Sequence, residues 1–92
     1  MPDFIDSIAW FTRENFAAHK ALDPHGLQPT FDDWLRDAER GVKQLKLRGI
    51  VPERVVIDPN DFAAWCKSQS MKVDGRARGA FASVVRHKRS QN

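Results

Sequence analysis

The stretch PERVVIDPNDF, residues 52–62, joins two opposite kinds of local preference. Its first half is β-branched and apolar, and Arg54, Val55, Val56 and Ile57 form the one candidate strand in the chain. Its second half starts a helix. Asp58 is a good N-cap, Pro59 takes the first helical position where its missing N–H costs nothing, and Asp61 suits the positive end of the helix dipole. Ile57 and Phe62 flank the cap as a hydrophobic staple. A single strand needs a partner, and periodicity offers none elsewhere in the chain. Residues 54–57 are therefore expected as an extended segment packed on a helical core, with pairing to a second copy in a homodimer as the alternative.

Outward from this stretch, the apolar pattern is helical in both directions. Toward the N-terminus, Phe31, Trp34, Leu35, Ala38, Val42 and Leu45 hold one face of a helix over about residues 31–48. Thr30 precedes it as N-cap, while Gly49 and Pro52 close it, placing Ile50 against Leu45. Before that helix, DPHGLQP (residues 23–29) reads as a loop. Residues 3–22 read as one further helix capped by Asp3, with Phe4, Ile8, Phe11, Ala18 and Leu22 on a stripe. On that wheel Trp10 projects from the far side and is expected on the surface. Toward the C-terminus, the helix begun at Asp58 covers about 59–70, and a last one over 75–88 is capped by Asp74 and lined by Ala77, Ala80, Phe81, Val84 and Val85. Residues 89–92 read as a frayed tail. The expectation is an all-α, compact single domain of four helices.

Ninety-two residues suffice for one small core. No apolar run reaches the eighteen or so residues that a membrane span needs, and no basic leader precedes an apolar stretch, so the chain is expected to be complete and cytoplasmic. The single cysteine excludes an intramolecular disulfide.

Catalytic chemistry has little to build on. Cys66 shares a face with Phe62 and Trp65, where a thiol is ordinarily inert. His19 and His25, with Asp23 between them, match no compact metal-ligand spacing. Gly75 and Gly79 lack the Lys-Ser/Thr of a phosphate loop. No catalytic residue, metal ligand or cofactor is expected, and an enzyme is the least supported class.

Charge is the stronger signal. The net charge is +3, yet residues 1–73 carry ten Lys/Arg against eleven Asp/Glu, while residues 74–92 carry five against one. Such asymmetry suits an anionic partner. The order helix, short turn, helix over residues 62–81 resembles a helix-turn-helix, in which the start of the second helix meets nucleic acid; here SQSMK stands where a turn glycine is common. The candidate DNA- or RNA-binding residues are Arg76, Arg78, Ser83, Arg86, Lys88 and Arg89. The dipole accounts for cations near the C-terminal end, but Arg76 and Arg78 sit at the end that disfavours them. The alternative is a protein-interaction module, an adaptor or inhibitor using exposed Trp10 and Leu47 together with Arg54, Val55 and Val56.

Overall fold

The computed structural model describes residues 7–90, so the expected cap at Asp3 and the apolar residues Phe4 and Ile5 lie outside the described residues. The elements run β1 (Ser7–Trp10), α1 (Phe16–Leu22), α2 (Phe31–Leu47), β2 (Glu53–Val56), α3 (Pro59–Ser68) and α4 (Gly75–Ser90). The domain is mostly helical but not all-α, because β1 and β2 form a two-stranded parallel sheet.

The long first helix expected over residues 3–22 is corrected by this pairing. Ser7 lies opposite Glu53 and Trp10 opposite Val56, so the VV segment does have a partner within the chain. What separates β1 from α1 is a capping box that begins only at Thr12. The Thr12 hydroxyl accepts from the Asn15 N–H (3.1 Å), and the Asn15 side-chain carbonyl accepts from the Thr12 N–H (2.9 Å). Two orphan donors are satisfied reciprocally, and helical hydrogen bonding starts with Phe16 N–H to the Thr12 carbonyl.

The other helix ends follow their sequence signals. Thr30 caps α2 by accepting from the Asp33 N–H, Asp58 caps α3 from Asp61, and Asp74 caps α4 from Ala77. At the end of α2, Gly49 adopts φ 79° and the Ile50 N–H reaches the Leu45 carbonyl. The end of α3 uses the same closure without glycine. Ser70 adopts φ 53° and the Met71 N–H reaches the Cys66 carbonyl, ending the helix two residues before the expected boundary.

Side-chain alternation gives the sheet two faces. Ser7, Ala9, Glu53 and Val55 share the face that meets α4, where the Ser7 and Ser83 hydroxyls are 3.1 Å apart and Glu53 pairs with Arg86 and Arg89. Ile8, Trp10, Arg54 and Val56 share the other. There Trp10 packs edge-on against Trp34 of α2 at 5.0 Å between ring centroids. Arg54 lies over the Trp10 ring (4.4 Å) and forms a two-pronged pair with Glu39 at 2.8 and 2.9 Å. Trp10 is thus a core residue, 9% exposed, and not the surface aromatic that a helical reading gives. Strand geometry turns it by about 180° per residue where a helix would turn it by about 100°.

His19 ties α1 to the sheet. Its ring is buried beside Phe11, at 4.4 Å between centroids, and Nε2–H donates to the Ile57 carbonyl (3.0 Å), which also accepts from the Asn15 side chain. Nδ1 has no partner among the described residues. Burial holds the imidazole below its ordinary pKa; the Ile57 carbonyl opposes this in part, and the nearby Arg78 charge adds to it.

Two outcomes follow from the core. Trp10→Ala removes an aromatic that fills the space between sheet and α2, and a loss of about 3–5 kcal/mol is expected in denaturant melts. For His19, the unfolded ring takes up a proton near pH 6.5 while the folded ring resists it. Stability is therefore full above that pH and falls as the pH drops below it. Melting temperatures recorded from pH 7.5 down to 5 should decline, and His19→Gln should flatten the decline.

Candidate functional site

Of the five basic residues at the C-terminal end, three have carboxylate partners within the fold, and only one of these pairs is buried. Arg78 is buried, and its Nη1 pairs with the Asp23 carboxylate at 2.8 Å, with both side chains less than one-fifth exposed. Asp23 is held in place by the turn it begins, in which the Gly26 N–H reaches the Asp23 carbonyl. A Cβ at Gly26 would fall 2.1 Å from the Asp23 carboxylate oxygen that binds Arg78, so this position accepts only glycine without displacing the pair. Arg86 and Arg89 both reach Glu53, at 3.5 and 3.3 Å. Arg89 belongs to α4 and not to a frayed tail; residues 91–92 lie outside the described residues. Ser83 faces Ser7. Of the candidate nucleic-acid residues, Arg76 and Lys88 remain exposed with no ion pair among the described residues. They lie about 18 Å apart along the helix, at 1.5 Å per residue.

Of the candidate interaction residues, Trp10 and Val55 are buried, whereas Leu47 is 75% exposed and Val56 44% exposed. Val51, 74% exposed and not singled out by the sequence, adds to them. Arg54 is exposed but engaged with Glu39 and the Trp10 ring.

The feature that periodicity could not show is the state of the sheet edges. In a parallel ladder one residue turns both its backbone groups to one neighbour and the next residue turns its own groups away. The Ile57 N–H reaches the Trp10 carbonyl at 3.3 Å, which fixes the phase. Val55 and Ile57 thus face β1, whereas the N–H and C=O of Arg54 and Val56 face outward. On β1 the same phase turns the Ala9 groups outward. Among the described residues, no backbone or side-chain group pairs with these outward positions.

The two edges differ in their surroundings. The edge of β2 is open, next to Val51 and Val56. Along β1 runs a cleft of about 450 Å³, lined by residues 7–9, by Phe11 and Trp34, by residues 26–28, and by Gly75, Arg78 and Gly79 of α4. No residue of β2 lines it, so it follows the outer edge of β1. Its loop wall is fastened at several points. Lys20 donates to the Pro24 and Leu27 carbonyls, Gln28 donates to Asp37, and Asp23 holds Arg78. A second groove, about 530 Å³, separates α3 from α4 over Trp65, Phe81, Val84 and Val85, with Lys88 and Arg89 nearby.

Cys66 is buried, which pushes its thiol pKa up and away from thiolate chemistry. No group of three metal-ligating side chains gathers among the described residues, and none of the helices there is long and apolar enough to cross a membrane. No protein-family model matches the chain, and no curated protein or solved structure is detectably similar to it.

The ion pair generates a direct expectation. Arg78→Ala leaves Asp23 charged and mostly buried, and should cost about 3–5 kcal/mol. Gly26→Ala should destabilise in the same direction by less, since the carboxylate can move. Chemical denaturation of both variants checks this, and an Arg78→Ala protein as stable as the parent would refute the structural role of the pair.

Proposed function

We propose that this chain is a non-enzymatic protein-binding module that recruits an extended segment of another protein by adding it as a strand to the two-stranded sheet. The observation that carries the reading is the set of outward, unpaired backbone groups at Ala9, Arg54 and Val56. Unpaired N–H and C=O groups in a row are a template for another strand, and main-chain hydrogen bonds supply the affinity in such recognition. The burial of Arg78 against Asp23 removes one of the cations that a phosphate-binding reading would use, and Arg86 and Arg89 share the single exposed carboxylate of Glu53. A cytoplasmic setting belongs to the same proposal.

A panel of fluorescent β-forming peptides, each paired with a version N-methylated at alternate residues, tests the reading. Binding that is lost on N-methylation, and weakened by Ala9→Pro or Val56→Pro, is the expected result. Each proline deletes one outward N–H and leaves the ladder bonds between β1 and β2 in place. Retention on duplex DNA, single strands or RNA that falls steeply with salt, with no peptide bound, would instead restore nucleic acid as the partner.

A further inference from the structure

We infer that the open edge of β2 is a self-association seam, at which β2 of a second copy of this chain adds antiparallel across a two-fold axis at Val55; the inference rests on strand addition as the mode of binding. A two-fold axis perpendicular to a sheet relates two edge strands antiparallel, and it opposes each residue to the one equally far beyond the axis. The edge is spaced for this. Its outward backbone groups belong to Arg54 and Val56, one residue to either side of Val55. An axis at Val55 therefore sets Arg54 against the partner's Val56, and Val56 against the partner's Arg54. Opposed residues of this kind in an antiparallel ladder exchange both their N–H and C=O groups. Each chain gives two donors and two acceptors, and none is left over.

The ends of the strand select the same register. Pro52 has no N–H to give, and Asp58 turns the chain into α3 as its N-cap. Both lie three residues from Val55, so the axis that pairs the edge also sets one terminator against the other. An axis at Arg54 would bring two guanidinium groups face to face and oppose Val56 to Pro52, leaving the Val56 carbonyl without a donor. An axis at Val56 would oppose Arg54 to Asp58, whose carbonyl is already engaged by the Phe62 N–H. With the axis at Val55, no like charges stand opposite each other. Arg54 is held over the Trp10 ring and paired with Glu39 of its own chain, so its charge is met before the second copy arrives. Three of the four large apolar side chains left exposed among the described residues, Leu47, Val51 and Val56, fall at or just before this strand. Such clustering of exposed apolar side chains marks a surface that a partner covers. The ladder is short, which places the association in the weak and reversible class.

Sedimentation equilibrium of the full chain, in reductant so that Cys66 cannot cross-link, measures the association from about 10 μM to 1 mM. Mass should rise toward that of the dimer. Amide exchange at Arg54 and Val56 should slow about fivefold or more over the same range, while exchange at Ala9 stays unchanged. Val56→Pro removes one donor from each chain, and Val56→Lys opposes a cation to the partner's Arg54; each should weaken association about tenfold or more. Val56→Glu meets the same guanidinium with a carboxylate and should associate at least as tightly as the parent. The Lys and Glu variants keep every backbone donor, so their contrast holds even where proline disturbs the strand. A dimer whose exchange protection falls on Ala9 in place of Arg54 and Val56 would overturn the seam. So would a dimer that neither Val56→Pro nor Val56→Lys weakens. A chain that stays monomeric throughout, yet binds peptides in the N-methylation-sensitive manner, would overturn the second copy and leave strand addition standing. A monomer that binds no peptide would overturn both.

Discussion

Parallel pairing between Ser7–Trp10 and Glu53–Val56 organises everything else in this domain. Two parallel strands cannot be joined by a tight turn, so the chain must cross over, and α1 and α2 are that crossover. The pairing divides the side chains of the sheet between two neighbours. Ser7 and Val55 go to the α4 side, and Trp10 goes to α2, where it meets Trp34. A slip of one residue in β1 would exchange these faces, taking Trp10 away from Trp34 and bringing it toward α4. The same alternation leaves backbone groups unpaired on both outer edges. The feature that stabilises the fold and the feature assigned to function thus come from one ladder.

Arginines at the start of α4 contribute to the same arrangement in unequal ways. Arg78 reaches back past Gly75 to a carboxylate on the loop that follows α1, an ion pair spanning more than half the chain. Asp23 offsets the unfavourable meeting of a cation with the positive end of the helix dipole. Arg86 and Arg89 meet Glu53 at the first residue of β2, fastening the far end of α4 to the sheet. Three arginines of the basic segment thus tie helix to loop and helix to strand.

Much of this architecture was legible in the residues. The caps at Thr30, Asp58 and Asp74, the closure at Gly49 and the span of α2 all rest on local chemistry, and local chemistry can be read one residue at a time. The strand at Ser7–Trp10 could not be read that way. Phe, Ile and Ala spaced over residues 4–22 suit a helix, and only the distant β2 makes SIAW extended. The capping box between Thr12 and Asn15 was the available signal that the helix starts later, a T-x-x-N pattern in which Asn stands where Glu or Gln is usual. The misplacement of Trp10 followed from that one boundary. The basic segment was visible as charge, but which arginine is neutralised depends on Asp23, which nothing in the sequence ties to Arg78. The edges were least legible, since an unpaired N–H is a property of the assembled sheet.

Because β1 and β2 are separated by the whole of α1 and α2, the order in which the chain assembles is constrained as well as its final shape. Long-range pairing has to overcome the entropy of closing the intervening segment, and folding slows as such contacts come to dominate. Helices α1 and α2 shorten that segment if they form first, and Thr12, Thr30 and Gly49 give each of them well-defined ends. During synthesis β1 leaves the ribosome well before its partner exists, with its apolar Ile8 and Trp10 uncovered. For that interval both sides of β1 are open edges, and the strand is a target for any extended chain nearby. Pairing with β2 then closes one of those two sides, so the same contact that completes the sheet also halves the exposure of the strand.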